Sequence, residues 1–217
     1  GRTVYANTAA AQVPASLTAV GAVLGLTNAN LLTAAPTVAA SAPVSCTIAQ
    51  LGYPCTYNPQ GFWNAYDATG TTTESATNIG IFTEGDMSGV VTDLRTEEAA
   101  NGLAAVPVTI VHTGPASSDV SGADEWDMDT QFSTGMAGGV SRLYLYDTTS
   151  LTDADITLEL SRFASDDRAK AGSASFGECE YQAYLDGSMI AMDNVFAEAA
   201  VQGQTVFASS GDTGGFC

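Results

Sequence analysis

Basic residues are scarce in this chain: 6 Lys and Arg stand against 24 Asp and Glu among 217 residues, a formal net charge of −18. A phosphate backbone would be repelled rather than neutralised, which argues against a nucleic-acid partner. Long hydrophobic runs are absent as well. The longest apolar stretch, Ala19 to Leu26, falls far short of the roughly 18 residues a membrane span requires, so no membrane partner is expected. Histidine occurs once, as His112, so histidine ligands for zinc are missing. A Ser-His-Asp hydrolase would have to be built on that residue without a Gly-x-Ser-x-Gly elbow. His112 ends the apolar segment VTIVHTG, where a hydrogen-bonded strand-end histidine is the plainer reading. Cys46, Cys55, Cys179 and Cys217 lack paired CxxC spacing. Disulfides of an exported protein are the expected use; three pairings are open, and four buried free thiols are the alternative.

The chain does have ample core material, with 45% hydrophobic residues and a mean hydropathy of +0.10. Only 14% of its residues are charged. A surface of that kind loses little solubility when its carboxylates protonate, which suits acidic surroundings. The chain opens with Gly1-Arg2, without an initiator Met or an apolar signal segment, so upstream sequence is expected to have been removed.

Residues 1 to about 58 carry one charged residue, Arg2, and are rich in Ala, Thr and Pro. Pro14 is placed to open a helix in which Leu17, Val20, Val23 and Leu24 share a stripe, with Gly25 near its end. Ala34 to Pro43 reads as an extended connector. Beyond residue 79 apolar and amphipathic segments alternate. Strands are expected at Ile79–Thr83, Val106–His112, Arg142–Tyr146, Ala171–Phe176 and Thr205–Ser209. Helices are expected at Ser88–Ala100, Ala123–Met136, Asp153–Ser165 and Ser188–Gln202. That alternation predicts an α/β fold with a parallel sheet covered on both faces, whose chemistry sits beyond the strands' carboxyl ends.

Carboxyl groups dominate the candidate chemistry. Within Asp124-Glu125-Trp126-Asp127-Met128-Asp129, Glu125 and Asp129 are one helical turn apart on one face. Two carboxyls so close tend to share a proton, which raises one pKa and makes an acid or base for low pH. The bland alternative is that acidic residues favour the first turn of any helix. Asp124, Asp127 and Asp129 lack the glycine and closing glutamate of a calcium loop. Asp212, in Ser209-Ser210-Gly211-Asp212, follows the last strand on a glycine-flanked turn, where a cleft carboxyl and an ordinary turn residue both fit. A close carboxylate pair also suits retaining glycoside hydrolysis, although Trp63 and Trp126 are few aromatic platforms for a sugar. A non-catalytic secreted α/β module that binds a partner is the other alternative.

Several blocks in order resemble the sedolisin family of serine-carboxyl peptidases. They are Glu125-Trp126-Asp127-Met128-Asp129, then Gly138-Gly139, Ser175-Phe176-Gly177, and Ala199-Ala200-Val201-Gln202-Gly203-Gln204-Thr205 running into Ser209-Ser210-Gly211-Asp212. Asn7-Thr8, Val13-Pro14, Leu17 and Val23-Leu24-Gly25-Leu26 are similar to the end of that family's prodomain, and Phe62-Trp63-Asn64-Ala65-Tyr66-Asp67 to the entry into its catalytic domain. The resemblance covers nearly the whole chain. It implies residues 1–45 as prodomain tail and activation linker, and 46–217 as the N-terminal portion of a subtilisin-like catalytic domain, incomplete at the C-terminus.

The resemblance further implies a secreted, acid-acting endopeptidase made as a zymogen, with a polypeptide substrate. Glu125 would be the general base, Asp129 the carboxyl that orients it, and Asp212 the protonated oxyanion donor. The family's nucleophilic serine lies in an SGTS-like motif beyond the oxyanion aspartate, and no SGTS occurs here. A C-terminal chain or segment carrying that serine is therefore the expected partner. A calcium ion is implied too, with ligands outside this chain, so no metal ligand is assigned. Cys179 and Cys217 match positions bridged in some relatives, and Cys46–Cys55 is taken with them as the second bridge. Glu178 stands where several relatives place a tryptophan.

Overall fold

The run Asn78–Glu84 (NIGIFTE) is buried along most of its length, as a strand covered on both faces must be, and it forms the middle of a parallel sheet. A computed structural model of the chain describes residues 2–29, 31–34, 57–70 and 76–212. The elements follow in the order β1 (Thr33–Ala34), α1 (Pro59–Ala65), β2 (Asn78–Glu84), α2 (Ser88–Ala100), β3 (Val108–His112), α3 (Ala123–Ala137) and β4 (Arg142–Thr148). They continue with α4 (Asp153–Asp166), β5 (Ala171–Ala174), β6 (Phe176–Gly177), α5 (Glu180–Asp186), α6 (Ser188–Val201) and β7 (Thr205–Ala208).

Five strands pair in parallel in the order β3-β4-β2-β5-β7. In β2 the even positions face α4. Gly80 and Gly172, paired across β2 and β5, leave room for the Phe163 ring, which packs edge-on against Phe82 at 5.2 Å and Tyr146 at 5.6 Å. Ile79, Ile81, Leu143 and Leu145 point the other way, toward the side of α2 and α3. Helices thus cover both faces, as the alternating pattern requires.

The connections do not all have one hand. Helix α2 carries the chain from β2 outward to β3, and α3 brings it back inward to β4, yet the two helices pack against each other on one face. Opposite directions on one face mean opposite hands. Helices α4 and α6 pack together on the other face and carry the chain toward the other edge, which gives them the hand of α2. Since nearly all such crossovers are right-handed, the step through α3 is the left-handed exception.

The expected strands and the four long helices agree with the observed bounds to within a few residues. Strand β3 begins at Val108 because Pro107 has no N–H to donate, although its carbonyl accepts from Leu143 at 2.9 Å. The expected Ala171–Phe176 strand divides: β5 stops at Ala174, and Phe176–Gly177 turns to pair antiparallel with β1. Two short helices, α1 and α5, have no counterpart in the sequence reading. Helix α1 starts at Pro59 behind Asn58, whose side chain accepts from the Gly61 N–H at 2.8 Å.

The helix expected from Pro14 does not form. The segment is irregular, with turns closed by Leu17 N–H to Pro14 O at 2.9 Å and Val20 N–H to Leu17 O at 3.3 Å. Its apolar stripe has no core to enter, since Leu17, Val20 and Val23 all stay exposed, and Gly21 with β-branched Thr18, Val20 and Val23 weakens an unsupported helix. Instead, Tyr5 meets Asn28: the Tyr5 N–H donates to Asn28 Oδ1 at 2.8 Å, and the Asn28 N–H donates to Tyr5 O at 3.2 Å. Leu32 N–H then anchors the segment to Leu151 O at 2.8 Å. The Ala34–Pro43 connector, apart from its first residue, lies outside the described residues, as do Cys46, Cys55 and Cys217.

A Cβ at position 172 would lie 2.9 Å from the Phe82 ring and 3.2 Å from that of Phe163. Gly172→Ala is expected to lower the unfolding free energy by about 1–3 kcal/mol, as overpacking does. Urea unfolding measures this, and an unchanged midpoint would refute the packing of Phe163 into that gap.

Candidate active site

Helix α3 starts behind Gly122 and puts Asp124 and Glu125 in its first turn, where the helix dipole favours negative charge. The left-handed step sets that turn beside the carboxyl end of β2. Trp126, fully buried, donates its indole N–H to Glu84 O at 3.0 Å and packs edge-on against Phe176 at 6.4 Å, which holds the helix in register with the strand ends.

Around this turn three of the expected residues come together. Ser175, at the break between β5 and β6, donates its hydroxyl to Asp129 Oδ1 at 2.8 Å and lies close enough to Glu125 to lower its pKa. Asp212, exposed beyond β7, is near enough for its charge to raise the Glu125 pKa. Burial pushes Asp129 up to about 6, against the opposing pull of Ser175 and with some help from the Glu125 charge. Burial raises Glu125 as well, again opposed by Ser175. Asp129 Oδ2 is buried and accepts no hydrogen bond, the condition of an oxygen suited to hold a proton.

The rest of the acidic run faces elsewhere. Asp127 is pushed up to about 6 by burial and by the charges of Asp93 on α2 and of Asp124. His112 is the paired strand-end histidine the sequence suggested: its Nδ1 lies 2.6 Å from Asp147 Oδ2 and its side chain is 55% exposed. Among the described residues no serine joins that pair.

Two acidic residues at the site escaped the sequence reading. Glu84 closes β2, and burial, with the charges of Asp119 and Asp147, pushes its carboxyl up to about 7. It lines, with Glu125 and Asp119, a cavity of about 800 Å3. The signal was present, as an acidic residue terminating a largely apolar strand at the end where ligands gather. The opposite wall comes from Arg2, Tyr5, Asn28 and Leu32 of the N-terminal segment. Arg2 secures that wall through its guanidinium to the carbonyls of Asn28 and Ala29.

Among the described residues, one set of three carboxyls could hold a metal: Asp153, Glu178 and Asp186, each offering an oxygen within 4.8 Å of the others. Cys179 is not free. No helix of the described residues is long and apolar enough to cross a membrane.

No family model matches the chain. Its sequence is 38% identical over 222 residues to sedolisin of Pseudomonas sp. (strain 101), covering 99% of this chain and 38% of that protein. It is 35% identical over 229 residues to xanthomonalisin of Xanthomonas sp. (strain T-22), covering 99% of this chain and 28% of that protein. A solved structure of Pseudomonas sedolisin, a serine-carboxyl proteinase complexed with pseudo-iodotyrostatin, superposes with a TM-score of 0.70 at 38% identity over 74% of this chain and 46% of that one. The chain therefore spans well under half the length of the curated relatives it matches.

The raised carboxyls give stability a definite pH dependence. Glu84, Asp127 and Asp129 bind protons more tightly folded than unfolded, so their contribution is complete below the ordinary carboxyl range near pH ~4 and is lost as pH rises through about 6 to 7. The melting temperature is expected to fall by at least about 5 °C between those limits, and Glu84→Gln should flatten the upper part of the curve. Calorimetry across pH checks both, and a rising or level profile would contradict the burial of these groups.

Proposed function

We propose, since this chain belongs to the sedolisin family, that it supplies the acid–base part of an endopeptidase that cleaves polypeptides at acidic pH. The observation that carries the reading is the gathering of three acids: Ser175 holds Asp129 at 2.8 Å, the charge of Glu125 is felt at Asp129, and that of Asp212 is felt at Glu125. Glu125 as carboxylate accepts the proton of a serine hydroxyl as that oxygen attacks the scissile carbonyl, and then returns the proton to the leaving amine. Asp129, held by Ser175, keeps a second proton and orients Glu125. Asp212 in its neutral form donates a hydrogen bond to the developing oxyanion. A carboxylate base and a carboxylic acid donor coexist only near or below carboxyl pKa values, hence the acidic working range.

The nucleophilic serine, in this reading, comes from a C-terminal segment or chain, together with the family's calcium ligands. An unfinished sheet edge supports it. Among the described residues strand β7 pairs on one side only, its Phe207 is 61% exposed, and Val201 at the end of α6 is 90% exposed. Such an apolar edge calls for further strand and helix to cover it. Residues 1–45 act as the prodomain tail and linker of a secreted zymogen, and 46–217 as the first part of the catalytic domain. The N-terminal wall over the cavity that holds Glu125 supports that division, because a segment lying there bars substrate until it is removed. Disulfides Cys46–Cys55 and Cys179–Cys217 complete the secreted form.

Replacing Glu125 with Gln in the native protein is expected to cut casein hydrolysis near pH ~4 by at least about 100-fold, with the circular dichroism spectrum unchanged. Retained activity in that variant would remove the mechanism.

A further inference from the structure

A second group of acids lies outside the site just described, at the junction of three elements. Asp153 opens α4, Glu178 follows β6, and Asp186 closes α5. Their nearest oxygens all fall within 4.8 Å of one another. Helix capping accounts for Asp153 in the first turn of α4 and for Asp186, whose Oδ1 accepts from the first N–H of α6; it gives no reason for Glu178 to converge with them.

The cluster also contains an unmet need. Asp153 is nine-tenths buried, at 9% exposure, and its Oδ1 accepts no hydrogen bond. Glu178 Oε1 is likewise out of solvent and without a donor. No ion pair among the described residues reaches either one. The groups that face Asp153 and Glu178 are each other, Asp186 and the Ser188 hydroxyl. Asp186 is aimed by the Ser188 N–H, which donates to its Oδ1 at 3.0 Å. Buried, unpartnered carboxylate oxygens normally have a cation or a proton between them. A proton bridges two carboxyls, whereas one divalent ion meets three.

We propose that Asp153, Glu178 and Asp186 form a calcium site that ties the start of α4 to the β6–α5 connection. Size selects the ion. Calcium–oxygen bonds of about 2.3–2.6 Å let two ligands stand up to about 5 Å apart across the ion, whereas magnesium at about 2.0–2.1 Å needs a tighter set. Three carboxylates leave several of calcium's 6–8 positions for water, and a neighbouring cavity of about 490 Å3, which Asp153 and Asp186 help to line, has the room. The ion fastens the connection that follows Ser175, so it steadies the hydroxyl that holds Asp129. This site is separate from the calcium the family resemblance implies, whose ligands lie beyond this chain.

Calorimetric titration of the full chain with calcium chloride at neutral pH, after treatment with a chelator, tests the site without any peptidase assay. The expected result is one ion per chain with a dissociation constant of about 10⁻³ M or below. Glu178→Gln and Asp153→Asn should each weaken binding by about tenfold or more, and both should abolish the rise in melting temperature that calcium causes. Asp193→Asn, at an exposed acid on α6, should leave binding unchanged. Absence of saturable binding at millimolar calcium would overturn the proposal and assign the cluster a shared proton. Equal weakening by Asp193→Asn would overturn it too, as diffuse attraction to an acidic surface.

Discussion

A carboxyl group taken out of water must find a proton, a donor or a cation, and this fold gathers several of them at one end of its sheet. Ser175 meets the requirement at the centre: its hydroxyl donates to one oxygen of Asp129 beside Glu125, and the remaining buried oxygen of Asp129 is left to a proton. Glu84 and Asp147 repeat the theme on neighbouring strand ends, where burial outweighs the partners each one finds. Their raised pKa values are a cost of holding acids in a protected place, and that cost vanishes in acid. Stability and the proposed chemistry thus favour the same pH range, because both depend on carboxyls that keep their protons.

The backbone makes the gathering possible. A right-handed return from β3 to β4 would have put α3 on the other face, beside α4. The left-handed step keeps α3 against α2 and brings its first turn to the end of β2, where Trp126 joins helix to strand. On the opposite face, Phe82, Tyr146 and Phe163 pack over two glycines, so α4 lies close to the sheet. The break after β5 then takes Ser175 out of the strand ladder and turns it toward α3. Each of these features is ordinary packing physics, and together they bring residues 50 positions apart, such as Glu125 and Ser175, to one point.

The N-terminal segment stands apart from this logic. It contributes little to the core, keeps its larger apolar side chains exposed, and holds its shape through a few polar contacts around Tyr5, Thr27 and Asn28. Few buried contacts and exposed hydrogen bonds are the properties of a segment that detaches at low cost. Its place over the cavity is consistent with covering the cleft without becoming part of its structure.

Much of the fold was legible in the chain itself. Apolar segments alternating with amphipathic ones marked the five parallel strands and the four long helices, and Glu125 with Asp129 could be paired from their one-turn separation. Local rules failed where local sequence does not decide. The stripe after Pro14 had helical spacing but no core to bury it, and α1 and α5 are too short for periodicity to reveal. What the amino acids alone determined was which residues are acidic, how far apart they stand along the chain, and which segments seek burial. Tertiary structure decided which acids meet, as with Ser175 between two carboxyls, Glu84 at the cavity and Asp153 beside Glu178. Burial and long-range charge depend on distance in space, and the hand of one crossover changes that distance without altering a residue.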